Sequence, residues 1–221
     1  MRTHIFLFFF GFTSVLRVVA QEQMFQAITV PVVQNGKLLD HPFAGGLNAP
    51  QFSAADLNND QILDLVVFDR AGDVFLTFIN EGTANASSYR YAPEYACHFP
   101  VLQDYAILRD FNQDGAFDIF CASLPLGSQE MQVFQGYFEN NVLKFKPFLF
   151  HYPSCTSCDN RFVYYPSVIP GFWNNLFIAD TDIPGVADVD GDGDLDILTG
   201  DGAGGGHVWW VKNMLVEKGF G

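Results

Sequence analysis

Apolar residues in this chain gather in short runs of strand length, separated by Gly, Asn, Asp and Pro. Leu65 to Phe68, Val74 to Ile79 and Tyr89 to Tyr91 make one series. Ile119 to Ala122, Gln132 to Tyr137 and Val142 to Phe145 make a second, and Ile197 to Thr199 with Val208 to Val211 a third. A short extended stretch precedes each series: Gln51 to Ala55, Tyr105 to Arg109 and Pro184 to Ala187. Val, Ile, Phe, Tyr and Trp fill the runs, as suits a pleated and half-buried surface, and no helical periodicity is present. The pattern predicts an all-β chain of four-stranded meanders, the third showing only three of its strands. Near the front, Ile28 to Val33 and Lys37 to Leu39 flank Asn35-Gly36, the preferred pair for a two-residue hairpin turn.

The joint between the first and second strand is polar in the same way each time. It reads Asp56-Leu-Asn-Asn-Asp-Gln-Ile-Leu-Asp64, then Asp110-Phe-Asn-Gln-Asp-Gly-Ala-Phe-Asp118, then Asp188-Val-Asp-Gly-Asp-Gly-Asp-Leu-Asp196. Acid or amide stands at positions 1, 3 and 5, and Asp at position 9. Position 8 is Leu63, Phe117 or Leu195, and position 10 is Leu65, Ile119 or Ile197. Such self-similarity marks a repeat architecture. The starts are 54 and 78 residues apart. The longer interval contains an insertion, Pro147 to Phe177, read as a long excursion on one face.

These loops suit a hard cation. Ca²⁺ takes six to eight oxygens at about 2.3–2.6 Å. Side chains at positions 1, 3 and 5 of a tight loop converge, and glycine at 6 permits the left-handed turn that aims the carbonyl of position 7 inward. Asp at 9, at the start of a strand, can close the shell with both oxygens, while the apolar residues at 8 and 10 point into the sheet. EF-hand-type loops share the opening but need an acid at position 12 and a helix after it. Position 12 here is Val67, Cys121 or Thr199, within a strand. The competing reading is a set of solvated acidic turns. It is strongest for the first loop, where Gln61 replaces glycine at a left-handed position costing about 1 kcal/mol.

At these residues, over about Pro50 to Asn213, the chain resembles the FG-GAP/VCBS repeat family, whose members include integrin-alpha-like propellers. The arrangement looks most like exported repeat proteins of Bacteroidetes-type bacteria. The resemblance implies a β-propeller of four-stranded blades, here about three of them and an incomplete ring. In the family, positions 1, 3, 5 and 9 give side-chain ligands and position 7 a carbonyl. Carried over, the implied Ca²⁺ ligands are Asp56, Asn58, Asp60, Ile62 and Asp64 in the first loop. In the second they are Asp110, Asn112, Asp114, Ala116 and Asp118, and in the third Asp188, Asp190, Asp192, Asp194 and Asp196. The third loop has the most carboxylates and a glycine at position 6, so it is expected to bind tightest, then the second, then the first. The expected organisation is a signal peptide over 1–20, an N-terminal hairpin over 21–48, and repeats over 49–221. The blades span about 49–100, 101–146 and 178–221, with the insertion at 147–177.

Composition sets the compartment and the partners. A basic start, the apolar run Ile5 to Leu16 and the small-residue site Val18-Val19-Ala20 read as a secretory signal peptide. A mostly apolar run of twelve residues is too short to span a bilayer, which needs about 20, and no later run approaches that length. The formal charge is −14, and loss of Arg2 and Arg17 with the leader makes it −16. That acidity argues against a basic patch for nucleic acid or anionic membranes. Hydrophobic residues at 49%, with 24 Phe, mark a folding chain rather than a disordered one. In an exported protein Cys155 and Cys158 are expected to form a disulfide, and Cys97 with Cys121 is a weaker pairing.

Two functions follow. The first is a secreted or cell-surface, non-catalytic adhesion or ligand-binding scaffold locked by Ca²⁺, with an extracellular protein or carbohydrate ligand and self-association of the open ring. The second is the propeller part of an extracellular polysaccharide-degrading lyase or hydrolase. Gly-x-Ser-x-Gly and His-Glu-x-x-His are absent, and His41, His98, His151 and His207 are scattered, so no catalytic residue is assigned. Asp180 and Asp182 read as turn acids. The aromatic group Phe162, Tyr164, Tyr165, Phe172 and Trp173 reads as a satellite core beneath a long loop, with sugar stacking as its alternative. Gly202 to Gly206 reads as a hairpin tip, and Asn85-Ala86-Ser87 as a glycosylation sequon in a eukaryotic host.

Overall fold

The runs of Val, Ile, Phe and Tyr fold as antiparallel strands in a computed structural model that describes residues 30–39, 41–42, 44–83, 88–123, 129–151, 159–200 and 206–214. The expected leader, the Cys155–Cys158 pair, the Asn85 sequon and most of the Gly202–Gly206 tip lie outside the described residues. The chain divides into two units, 1–39 and 40–221. In the first, β1 (Val33–Gln34) pairs with β2 (Lys37–Leu38). Asn35 and Gly36 between them have φ of 51° and 76°, the two left-handed residues that a type I′ hairpin turn requires.

The second unit is all-β, built of several small antiparallel sheets. One contains β3 (Pro50–Ala55), β4 (Asp64–Asp69), β5 (Val74–Asn80) and β6 (Tyr89–Tyr91), paired in chain order. The next contains β7 (Ala106–Arg109), β8 (Asp118–Ala122), β9 (Met131–Glu139) and β10 (Val142–Pro147), again in chain order. Two hairpins follow: β11 (Phe150–His151) with β12 (Asp159–Asn160), and β13 (Tyr164–Pro166) with β14 (Trp173–Asn175). The last sheet is three-stranded: β15 (Gly185–Ala187), β16 (Asp196–Gly200) and β17 (Val208–Val211).

Side chains alternate across a strand, and the middle sheet uses both faces. Ala106 and Leu108 of β7, with Ile119 and Cys121 of β8, join one core together with Val66 and Phe68 of β4. Tyr105 beside β7, Ile107 of β7, and Phe120 and Ala122 of β8 point the other way. They join a second core with Val186 of β15 and Ile197 of β16. Burial on both faces explains why β8 reads Ile-Phe-Cys-Ala without a polar alternation. Phe75, Phe99 and Phe145 bridge the first core in a chain of ring contacts at 4.3 and 4.9 Å.

Three readings of the sequence need correction. Cys97 and Cys121 are not bonded: Cys97 is exposed on a short 3-10 helix (Pro93–His98), and Cys121 is buried in the first core. The stretch 147–177 is not a separate surface excursion, because its backbone continues the pairing along β9. Val163 N–H donates to the Met131 carbonyl at 2.8 Å, and Met131 N–H to that of Leu176 at 2.9 Å. Leu176 is 1% exposed and completes the second core. Finally, Leu63 at position 8 stays exposed, whereas its counterparts Phe117 and Leu195 are half-buried. Most of the aromatic group packs as expected of a satellite core. Tyr164 meets Trp173 at 5.1 Å and Phe150 at 6.2 Å, while Phe172 remains exposed.

The first strands of the three sheets come together. Gln51 Oε1 accepts the Ala106 N–H at 3.0 Å, joining β3 to β7, and Arg109 Nε donates to the Val186 carbonyl at 3.0 Å, joining β7 to β15. A cleft of about 210 Å³ lies among these strands, bordered by Phe52, Ser53, Ile107, Arg109 and Pro184. Arg70 fastens the opposite end from the acidic loops. Its guanidinium donates to the Asp104 carbonyl and, at 3.0 Å, to that of Asp180, the residues that lead into β7 and towards β15.

Candidate metal centre

Each acidic loop spans the joint between the first two strands of its sheet, and all three fold alike. Position 9 pairs with the last residue of the strand before the loop: Ala55 with Asp64, Arg109 with Asp118, Ala187 with Asp196. Positions 4 and 6 both take the left-handed region. Asn59 and Gln61 have φ of 60° and 68°, Gln113 and Gly115 58° and 87°, and Gly191 and Gly193 81° and 100°. The strain expected at Gln61 is therefore present. The left-handed residue at position 4 was not read from the sequence, although Asn59 and Gly191 are residue types that tolerate it.

Those turns fold the backbone around the first carboxylate. Asp56 accepts the N–H of Asp60 at 3.2 Å and of Gln61 at 2.7 Å. Asp110 accepts those of Asp114 at 3.2 Å and Gly115 at 2.9 Å. Asp188 accepts those of Gly191 at 2.7 Å and Gly193 at 3.1 Å. Position 5 uses one oxygen for the N–H of position 7: Asp60 for Ile62 and Asp114 for Ala116 at 2.8 Å, Asp192 for Asp194 at 3.1 Å. In the first two loops Asn58 and Asn112 donate to the other oxygen of that carboxylate at 2.8 Å. Positions 1, 3 and 5 thus lie close together in each loop.

In the third loop three acids converge without an amide between them. Ligand oxygens of Asp188, Asp190 and Asp192 lie within 4.8 Å of one another. Two oxygens on opposite sides of a Ca²⁺ ion are separated by up to about 5.2 Å, twice the longest usual Ca–O distance, so this group fits one cation. Asp194 and Asp196 stand outside that group and are buried. One cation is already nearby: the Lys212 ammonium contacts Asp190 Oδ2 and lies 3.4 Å from Asp192 Oδ2.

Position 9 has a further role that spacing alone did not show. Asp64, Asp118 and Asp196 are 0–1% exposed, and each uses both oxygens to bind backbone. One oxygen accepts the N–H of position 2: Leu57 at 2.8 Å, Phe111 at 3.0 Å, Val189 at 3.3 Å. The other accepts an N–H from the sheet's third strand or just beyond it: Asn80 at 2.7 Å, Gly136 at 2.8 Å, Asn213 at 2.7 Å. A carboxylate has about four lone-pair directions, so these aspartates staple loop to sheet and keep capacity for a metal. Burial pushes the Asp118 carboxyl up to about 6. The two N–H bonds oppose that shift, and Asp114 and Asp110 add to it. Asp64 is raised by burial in the same way.

Two of the other polar candidates take part in local hydrogen bonds. His41 Nε2 donates to the Tyr89 carbonyl at 2.7 Å. Asp182 lies in a turn, where its N–H donates to the Ala179 carbonyl at 2.9 Å. Among the described residues no helix is long and apolar enough to cross a membrane. No protein-family model, curated protein or solved structure matches this chain.

Proposed function

We propose that the chain is a calcium-binding repeat protein of the FG-GAP/VCBS, integrin-alpha-like type, exported and acting as a non-catalytic scaffold for an extracellular protein or carbohydrate ligand. The observation that carries this reading is the third loop, where Asp188, Asp190 and Asp192 bring three ligand oxygens within 4.8 Å. Around them Asp194 and Asp196 complete the implied set. Asp56, Asn58, Asp60, Ile62 and Asp64 would hold a second ion, and Asp110, Asn112, Asp114, Ala116 and Asp118 a third. Bound Ca²⁺ would supply charge neutralisation and rigid cross-linking of each loop, with no part in bond making.

A propeller of four-stranded blades is supported by the two four-stranded meanders and by a middle sheet buried on both faces. It is supported further by the cleft among the first strands of three sheets. The exposed aromatics Phe172, Trp209 and Trp210 offer faces on which a protein or sugar ligand would stack.

The test is calcium titration of metal-stripped protein by calorimetry, with melting curves in calcium and in EGTA. Saturation at a hundredfold excess over a site's dissociation constant stabilises by about 2.7 kcal/mol per site. Asp192→Ala, Asp114→Ala and Asp60→Ala should each remove one binding event. A fully stripped protein with no binding heat and an unmoved melting curve would overturn the reading.

A further inference from the structure

Carboxylate count ranks the third loop as the strongest cation site, yet that loop has a cation of its own. The Lys212 ammonium sits on Asp190 and beside Asp192, two of the three acids gathered there. Strand register puts it there. Val211 pairs with Ile197, and the Asn213 N–H is held by Asp196, so residue 212 is anchored on both sides next to the loop. The corresponding residues in the other sheets follow the partners of Leu65 and Ile119 and are Ile79 and Gln135, neither charged. Among the described residues the internal cation is therefore peculiar to the third loop.

The pair is partly shielded, with side-chain exposures of 31% for Lys212, 22% for Asp190 and 19% for Asp192, so solvent screens it less than an open surface pair. A divalent ion within bonding distance of the same oxygens would lie only a few ångströms from the ammonium and repel it. Lys212 Nζ is also 6.0 Å from the centre of the Trp210 ring, a cation–π contact that offers the displaced ammonium a place to rest.

We infer that Lys212 is a built-in competitor at the third loop, a role that rests on the calcium reading of that loop. Its ammonium neutralises Asp190 and Asp192 in the metal-free chain and leaves when a divalent cation enters, holding affinity below what the carboxylates alone would give. The test compares the full chain with Lys212→Met, which keeps the stem and removes the charge, and Lys212→Arg, which keeps the charge. Tb³⁺ luminescence sensitised by tryptophan reads the third loop, Trp210→Phe assigns the signal, and displacement by Ca²⁺ gives the affinity. Lys212→Met should bind at the third loop about tenfold more tightly, with Lys212→Arg near the parent and the other loops unchanged. Lys212→Gln answers the same question if the Met variant misfolds. Third-loop affinity unchanged or weakened in the neutral variants would overturn the competitor role while leaving the site intact. Absence of any Asp192-dependent binding in parent and variants alike would instead remove the calcium site, and this role with it.

Discussion

The side-chain amide of Gln113, at position 4 of the second loop, donates to the backbone carbonyl of Gly193, at position 6 of the third, at 3.0 Å. The two loops thus share a hydrogen bond between their tips. The first loop reaches the second sheet differently, through Leu143 N–H to the Leu57 carbonyl at 3.0 Å. Gln113→Ala should cost about 0.5–1 kcal/mol of stability. It should also weaken cation binding in the second and third loops together and leave the first unchanged. Calorimetry on the variant would separate these sites, and an effect confined to the first loop would contradict the arrangement.

The position 9 staples predict a larger loss. Removing Asp118 leaves two N–H groups, that of Gly136 buried and that of Phe111 partly buried, without this acceptor. Each orphaned group costs about 1–3 kcal/mol. Asp118→Ala should therefore lower the urea midpoint strongly even in EGTA, where no metal contributes. Asp114→Ala, on an exposed residue of the same loop, should do so far less.

Gly136 has no room for a side chain. A β-carbon there would run into the carbonyl oxygen of Phe117, and the neighbouring backbone would have to move. Gly136→Ala should destabilise by at least about 2 kcal/mol, although its φ is not left-handed. An alanine variant that melts like the parent would show that β9 shifts away without cost.

The metal-free chain should lose stability as pH rises through the range from about 4 to 6. The folded Asp118 carboxyl titrates near 6 against 3.8 when unfolded, so between those values the folded state binds more protons than the unfolded state. The sign of the linkage is then negative: this carboxyl's contribution to stability is greatest below about 4 and is lost as pH rises through about 6. Asp64 shifts in the same direction. Urea titrations in EGTA across this range would show the slope, and Asp118→Asn should flatten it. Stability rising with pH in the parent, by an amount this substitution abolishes, would contradict the assignment.

What could be read from the sequence was whatever rests on local chemistry. Tyr89–Tyr91 and Val208–Val211 were bounded correctly because Ser87-Ser88 and Pro93 flank the first, and Gly206 and Asn213 the second. Asn35-Gly36 showed its turn because few other pairs accept two left-handed residues. What stayed hidden depends on distant partners. The helix at Pro93–His98 is too short for an apolar period, and all its residues are at least partly exposed. Leu176 looked like loop because its strand partner, Met131, is 45 residues earlier. Lys212 drew no notice in the sequence because the register that brings it to Asp190 is set by β16 and β17 together. The acidic loop residues themselves were legible as a spacing, but the staple made by position 9 was not, since Asn80, Gly136 and Asn213 meet it through a backbone N–H that no side chain announces.

Cys121 sits where the middle sheet is covered on both sides, and burial drives its thiol far above the usual range. Only the thiolate reacts with an alkylating reagent, so this sulfur is silent until the first core has opened and the first sheet has let go of β8. Cys97, exposed on its short helix, reacts in the intact protein. The chain therefore contains its own stopwatch. The labelling rate of the Cys121 peptide, read by mass against that of Cys97, times the parting of the first and middle sheets, and any cation that tightens the loops should slow it.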